Sequence, residues 1–228
     1  MKKPIKIILI VLAVIVGLFA ALLIWLTATQ LNVKTETAVV TRGDNSTAAP
    51  GDEVSILSWN VGYAGLGEES DFFMDGGKQT RAPSKAIVEK NMDGIVATVQ
   101  GMAADFTFLQ EIDAGPSTHA YGIEEAGRLR TETQLDSAHA LNYKCAFVPY
   151  PIPPIGRVNT GLMTLSTAPI ASAERIALPS PFKWPVSVAN LKRCLMPVYI
   201  DLEGTDAQLV LVNLHLEAYD DGDGKAAQ

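Results

Sequence analysis

Three apolar segments of this chain carry polar side chains of the types that bind a divalent metal ion and a phosphate group. One segment ends at Asn60, a second ends at Glu111, and a third carries His215 near its end. Polar groups at strand ends can converge on one rim of a sheet in a layered α/β protein. Hard oxygen ligands there suit Mg²⁺, which binds through one or two carboxylates together with waters and substrate phosphate. The pattern therefore favours a hydrolase of phosphate esters.

Glu111 is the leading candidate for a metal ligand, because it directly follows the apolar segment that begins at Asp105. Asn60 is neutral and would hold a metal-bound water or a phosphate oxygen. Each residue has an ordinary structural alternative. Glu111 would then be a solvent-facing residue that starts a loop, and Asn60 would be a turn former.

His215, Asn213 and Arg193 are the candidates for contacts with the phosphate. Side chains alternate along a strand, so Asn213 and His215 share a face. Together they would hold two phosphate oxygens and stabilise developing charge. Arg193 begins the preceding predicted strand and would reach the phosphate with two parallel hydrogen bonds. The alternatives are a core histidine for His215 and a surface ion pair for Arg193.

Other polar motifs point less clearly to chemistry. The glycine-rich segment Val61–Gly67 lacks the Gly-Lys-Ser/Thr ending of a nucleotide loop and is interpreted as a flexible loop beside the site. The long excursion Glu68–Arg81 is expected to wall a pocket. His119 and His139 show no convincing partners. Asp220–Gly224 is interpreted as an acidic turn, because an EF-hand loop needs a Glu at its twelfth position.

The strands and helices that must position these residues follow from periodicity. Ser55–Asn60 and Asp105–Gln110 are predicted strands, and Ser84–Met102 is the clearest helix, with Ser84 as its cap. A weaker helix is predicted over residues 121–136. Further strands are predicted over 142–150, 161–166, 171–178, 194–202 and 208–216, the last two as a hairpin. The fold class is α/β or α+β.

The N-terminal part is predicted to be a membrane anchor. Residues 7–26 are uncharged and apolar, and at about 1.5 Å per residue they span a bilayer core. Lysines in the preceding tail, residues 1–6, place that tail in the cytoplasm and the remaining chain outside the cell. A cleaved signal peptide is the alternative, although its apolar region is ordinarily shorter. Residues 27–52 are interpreted as a linker, and residues 53–228 as one domain.

Charge and cysteine content narrow the functional class. Residues 51–228 contain 13 Lys and Arg against 23 Asp and Glu, a formal charge of −10. Such a domain repels a nucleic-acid backbone, but it can act on phosphate esters if a metal supplies positive charge locally. Cys145 and Cys194 lie in the predicted outer domain. Either a disulfide or two buried thiols would be compatible with their positions.

Four segments together resemble the endonuclease/exonuclease/phosphatase family, which includes DNase I-like nucleases, sphingomyelinases and inositol phosphatases. The matching segments are Leu57–Gly62, Phe108–Asp113, Gly156–Leu162 and Val212–Gly222. The chain is similar in particular to membrane-anchored bacterial members of the family. The resemblance implies a layered β-sandwich of two sheets flanked by helices.

The resemblance also implies roles for individual residues. Asn60 and Glu111 would belong to the Mg²⁺ site, with Mn²⁺ or Ca²⁺ as alternative ions, and Arg193 and His215 would contact the scissile phosphate. The family's later Gly-Asp-x-Asn segment and its closing Asp-His pair have no counterpart in these 228 residues. We therefore expect an incomplete domain that is inactive as written. The alternatives are a non-catalytic surface binding module and a fragment without function.

Overall fold

The computed structural model describes residues 3–31, 36–37, 39–41, 47–218 and 223–228. Its first element is helix α1 (Lys3–Thr29), which is long and apolar enough to cross a membrane. A membrane anchor and a signal sequence both meet that description. The predicted acidic turn Asp220–Gly224 lies largely outside the described residues.

Two β-sheets form the body of the molecule. The five-stranded sheet has the order β2-β5-β6-β4-β3, and the four-stranded sheet has the order β1-β7-β8-β9. Only β3 and β4 pair in parallel among the described strands. The strands of the first sheet are β2 (Val39–Thr41), β3 (Ile56–Asn60), β4 (Phe106–Asp113), β5 (Asp136–Val148) and β6 (Gly156–Ser166). Those of the second are β1 (Glu36–Thr37), β7 (Ile170–Ala177), β8 (Cys194–Asp201) and β9 (Gln208–Leu214).

The two sheets pack face to face around an apolar core. Phe106 and Leu162 from the five-stranded sheet meet Ile170, Met196 and Ile200 from the four-stranded sheet, all of them buried. Along β9, buried Leu211 and Asn213 alternate with exposed Val212 and Leu214, as expected for a sandwich. This packing confirms the predicted two-sheet arrangement.

Helices α2 (Lys85–Met102) and α3 (Glu125–Thr133) cover the other face of the five-stranded sheet. The Ser84 hydroxyl accepts a hydrogen bond from the backbone N–H of Ile87, so Ser84 caps α2 as predicted. The apolar stripe of α2, which includes Val88 and Met92, packs against Leu109 of β4. A short helix α4 (Asp223–Ala227) lies at the end of the described chain.

Several of the predicted helix and strand boundaries are wrong. The weaker helix predicted over 121–136 is only Glu125–Thr133, and Asp136 already begins β5. Gln134 adopts the left-handed conformation and ends the helix there. Strand β4 does not stop at Glu111 but continues to Asp113. The predicted linker 27–52 contributes β1 to one sheet and β2 to the other.

The cysteines are both free and buried, so of the two alternatives the structure shows two buried thiols. Burial raises the pKa of the Cys145 thiol and raises that of Cys194 to about 11. Both thiols therefore stay protonated and unreactive at neutral pH.

We expect Leu162→Ala to lower the free energy of unfolding by about 2 to 5 kcal/mol, because it opens a cavity between the two sheets. Leu162 has no exposed surface. Leu214→Ala, the same substitution at a side chain on the outer face of β9, should cost less than about 1 kcal/mol. Urea unfolding of the full chain in detergent measures both. Equal losses would contradict a core at the sheet interface.

Candidate active site

Asn60 and Glu111 lie side by side because β3 and β4 are parallel neighbours. Asn60 pairs in register with Gln110, the residue before Glu111. Parallel strands present their C-terminal ends at the same edge of a sheet, so the two side chains meet at one rim. A cleft with a volume of about 690 Å³ opens there, and both residues line it.

A β-bulge directs Glu111 towards this cleft. The register between β4 and β6 shifts between Gln110 and Ile112, and Glu111 has φ = 56° in the left-handed region. Leu109 and Ile112 both pack into the helix-side core, although three residues of regular strand would place them on opposite faces. The extra residue reconciles their positions and leaves Glu111 outside the alternation.

The Glu111 carboxylate is enclosed by hydrogen-bond donors and positive charge. Its side chain is 16 % exposed. Burial raises its pKa, and hydrogen bonds from the side chains of Asn60 and Tyr63, together with the Arg193 charge, partly offset that rise. The side-chain oxygen of Asn60, Oδ1, accepts a hydrogen bond from the backbone N–H of Gly62, and this bond fixes the orientation of the Asn60 side-chain amide. A bound cation would stabilise the ionised carboxylate further.

His215 reaches Glu111 from the opposite sheet. Its Nε2 lies 3.8 Å from Glu111 Oε1, although β9 ends one residue earlier, at Leu214. Burial lowers the pKa of His215 to about 4, and the nearby Arg193 charge adds to that effect. The imidazole is therefore neutral at pH 7. Its buried Nδ1 has no hydrogen-bond partner within the described part of the chain.

Arg193 is a buried cation that lines the same cleft. It directly precedes β8 and is 3 % exposed. Its Nη2 lies 3.6 Å from Glu217 Oε1. Its Nε and Nη1 have no hydrogen-bond partner among residues 3–31, 36–37, 39–41, 47–218 and 223–228. Leaving charged donors unpaired in a buried position is costly, so this arrangement fits an anionic ligand.

Asn213 lies below the rim, between the sheets. Its amide nitrogen donates hydrogen bonds to the backbone carbonyls of Leu109 (3.2 Å) and Met163 (3.0 Å), and its oxygen accepts one from the Gln110 amide (2.9 Å). The structure thus brings Asn60, Glu111, Arg193 and His215 to the rim and places Asn213 in the layer that supports them.

A second polar cluster, which the sequence reasoning missed, lies behind Glu111. His119 Nε2 lies 2.9 Å from Asp113 Oδ2, so the expectation that His119 lacks a partner is wrong. The backbone N–H of Asp113 donates to Glu125 Oε2, and the Tyr63 ring packs against His119 at 4.5 Å. Burial, and then the nearby Asp113 charge, raise the pKa of Glu125. The available signal was Asp113, a second acid directly after the apolar segment.

The walls of the cleft come from the loops that follow β3 and from one face of α2. Phe72, Met74 and Asp75 line it, which confirms that the Glu68–Arg81 excursion walls a pocket. Lys90 also lines the cleft and forms an ion pair with Glu69 at 2.9 Å. Asp75 is the one acid besides Glu111 among the lining residues that the structure describes.

The donor set suits a hard cation with an incomplete protein shell. No group of three or more His, Cys, Asp or Glu that could hold a metal occurs among the described residues. The Glu111 carboxylate and the Asn60 carbonyl oxygen are oxygen donors at one rim, and Mg²⁺ commonly binds through one or two carboxylates with waters and phosphate oxygens. The residues therefore fit Mg²⁺ and do not fit a closed zinc site.

We expect His139 and His215 to lower the free energy of unfolding as the pH drops from 7 to 4, against the opposing effect of Glu111 and Glu125, whose raised pKa values favour the folded state at lower pH. Burial lowers the pKa of both His139 and His215 to about 4. An unfolded histidine titrates at about 6.5, so between these values the unfolded state binds protons that the folded state does not. Each histidine should contribute about 1 to 3 kcal/mol of the loss. Urea unfolding at pH 7 and pH 5 should show smaller losses in His139→Gln and His215→Gln. Unchanged losses in both variants would contradict buried neutral histidines.

No protein-family model matches this chain, and no curated protein matches it. Solved structures do match. The endonuclease/exonuclease/phosphatase from Beutenbergia cavernae DSM 12333 aligns with 22 % identity and a TM-score of 0.50, over 73 % of this chain and 39 % of its own length. ANGEL2, a 2′,3′-cyclic phosphatase, aligns with 11 % identity and a TM-score of 0.47, over 82 % of this chain and 45 % of its own. D. rerio TDP2, complexed with single-strand DNA product, aligns with 15 % identity and a TM-score of 0.43, over 74 % of this chain and 48 % of its own. The chain therefore has a mixed α/β, two-sheet fold similar to that of endonuclease/exonuclease/phosphatase (DNase I-like) structures, and it spans under half the length of these proteins.

Proposed function

We propose that this chain binds a divalent metal ion and a phosphate ester in the cleft beside Glu111, as part of a metal-dependent hydrolase of phosphate esters. One observation carries the proposal. The Arg193 guanidinium is buried, has two nitrogens without partners among the described residues, and lines the same cleft as the Glu111 carboxylate. A buried guanidinium with two nitrogens free to bind phosphate oxygens, next to a carboxylate that suits a metal, is the minimal equipment for binding a metal–phosphate pair.

Glu111 and Asn60 are the proposed ligands for Mg²⁺, and Mn²⁺ or Ca²⁺ share their preference for oxygen. When bound, the ion supplies positive charge against the charge that develops on the phosphoryl oxygens. Tyr63 and Asn60 hold the carboxylate through side-chain hydrogen bonds and so limit its rotation. The left-handed backbone at Glu111 fixes the direction from which the carboxylate enters the cleft.

Arg193 and His215 are the proposed phosphate contacts. Arg193 offers two guanidinium nitrogens, which suits bidentate binding of phosphate oxygens. His215 is neutral at pH 7, so one ring nitrogen carries a hydrogen and can donate it to a phosphoryl oxygen. The three hydrogen bonds of Asn213 favour a positioning role over direct phosphate contact, because they tie β9 to β4 and β6 below the rim.

Hydrolysis also needs a group that activates the attacking water. The acids that line the cleft among the described residues are Glu111 and Asp75, and Glu111 is assigned to the metal. The family segments expected to supply the base have no counterpart in residues 1–228. We propose that these residues alone bind metal and phosphate without efficient turnover. The same geometry supports the second candidate, a non-catalytic binding module.

The proposed location is the cell membrane. Residues 1–6 would lie in the cytoplasm, residues 7–26 would cross the bilayer, and residues 53–228 would form the outer domain, joined by 27–52. The formal charge of −10 on residues 51–228 disfavours nucleic acid as the substrate relative to lipids or small phosphate esters. No protein partner is inferred.

Glu111→Gln should abolish saturable Mg²⁺ binding by the full chain, because it removes the one carboxylate of the proposed site while it keeps the shape. Isothermal titration calorimetry measures this, with Asp75→Asn as the matched control on the cleft wall. Asp75→Asn should retain binding within a few fold. If Glu111→Gln bound Mg²⁺ as tightly as the original chain, the metal site would lie elsewhere.

Arg193→Lys should weaken the binding of a phosphodiester by about 10- to 100-fold in the presence of Mg²⁺, which corresponds to about 1.5 to 3 kcal/mol for charge-assisted hydrogen bonds. Lysine keeps the charge that pairs with Glu217 but loses the planar fork. Arg157→Lys, at an exposed position on β6, is the matched control and should have no effect. Equal affinities for the two variants would contradict the assigned phosphate contact.

Residues 1–228 should show no turnover of a chromogenic phosphodiester with Mg²⁺ or Mn²⁺ above the rate of Glu111→Ala. The reason is that the rim supplies ligands for metal and phosphate without a separate base. Release of nitrophenol from bis(4-nitrophenyl) phosphate measures this. Turnover that disappears in Glu111→Ala would refute the inactive state and identify an active hydrolase.

A further inference from the structure

The last turns of α1 lie against one end of the five-stranded sheet. Leu26 is 2 % exposed and packs with Cys145 and Val148 near the C-terminal end of β5. The backbone N–H of Leu31 donates to the carbonyl of Lys144, and β2 then pairs with the first half of β5. The segment from the end of α1 to β2 therefore runs antiparallel to β5. The helix extends beyond the Val148 end of the sheet, and a membrane around α1 lies on that side.

Two loops at this same end expose large apolar side chains. Residues 149–155 expose Tyr150 and Ile152, the latter to 90 %. Residues 180–187 expose Trp184 and Val186. The Trp184 indole N–H donates to the Thr27 hydroxyl at 3.1 Å, so this loop is level with the last turn of α1. We call residues 149–155 and 180–187 the membrane-side loops.

The membrane-side loops differ in charge from the rest of the domain. Residues 146–156 and 178–191 contain no acidic residue and a single basic one, Lys183, although the formal charge of residues 51–228 is −10. The membrane-side loops thus present no acidic group to a lipid surface, and the one charge they carry is attracted to anionic headgroups. Tyrosine and tryptophan are the residues that concentrate at membrane–water interfaces.

Backbone composition also fits a lipid environment. Four of the seven residues from 149 to 155 are proline, as are Pro181 and Pro185 in the second loop. Proline has no backbone N–H, so these loops carry few donors that would lose their hydrogen bonds to water in a less polar surrounding. Exposed apolar side chains, on loops that contain no acidic residue and few backbone donors, favour a lipid surface over water.

We propose that the membrane-side loops insert into the interfacial layer of the bilayer that α1 spans, so that the domain is docked on the lipid surface. The inference rests on the membrane anchor proposed above and is independent of hydrolysis. Strands β4 and β5 are both antiparallel to β6, so their C-terminal ends lie at the same end of the five-stranded sheet. The candidate cleft opens at the C-terminal ends of β3 and β4 and therefore lies at the end of the sheet that carries the membrane-side loops. Docking therefore holds the cleft near the headgroup layer.

The test uses environment-sensitive labels on the full chain reconstituted in vesicles of phosphatidylcholine and phosphatidylglycerol. Ile152→Cys and Val186→Cys are labelled with NBD, and spin-labelled lipids serve as quenchers. The native Cys145 and Cys194 are buried and stay unlabelled in the folded protein. Met102→Cys is the matched control, because Met102 is also exposed but ends α2 beside the start of β4, away from the membrane-side loops.

We expect blue-shifted NBD emission and several-fold stronger lipid quenching at positions 152 and 186 than at position 102. Carbonate extraction of the same vesicles reports separately whether α1 is integrated. A chain that resists extraction but shows equally weak quenching at all three positions would overturn the docking and leave the anchor intact. A chain that is extracted would overturn the anchor and the docking together. Neither readout depends on phosphodiester turnover.

Discussion

The bulge at Glu111 is the constraint on which the candidate site depends. A regular strand cannot place Leu109 and Ile112 in the same core, and the extra residue between them resolves that conflict. Glu111 therefore occupies a left-handed conformation that costs on the order of 1 kcal/mol for a residue with a side chain. The packing of α2 against β4 offsets that cost, and the core therefore holds the Glu111 carboxylate at the rim.

Electrostatics then links the two sheets. A buried carboxylate on β4 faces a buried guanidinium at the start of β8 and a neutral imidazole after β9. Burial lowers the pKa of His215 and raises that of Glu111; the positive charge of Arg193 adds to the first effect and partly offsets the second. A carboxylate, a guanidinium and a neutral imidazole thus lie close together at the rim.

The individual strands and the rim residues could be predicted from local patterns, whereas the geometry around them could not. Apolar runs that end at Asn60 and Glu111 indicated two strands, and the alternation to Asn213 and His215 indicated a shared face. The bulge was hidden, because Phe106–Asp113 contains no glycine to signal it and the conflict arises only from packing against α2. The contact between His119 and Asp113 could not be predicted either, because it depends on how the loop between these two residues folds back and not on their spacing in the sequence. Asn213 looked like a ligand, but its inter-sheet hydrogen bonds depend on how the sheets are stacked.

The stacking of the sheets explains why the site forms only in the assembled sandwich. Asn213 on β9 donates to the carbonyls of Leu109 and Met163 and accepts from Gln110, and all three partners belong to the opposite sheet. These bonds replace water at polar groups that the interface buries, so they are retained only while the sheets stay in this register. His215 follows Asn213 by two residues and shares its inward direction. The distance from His215 to Glu111 is therefore set by the sheet interface, and a shift between the sheets would move His215 away from Glu111 without unfolding either sheet.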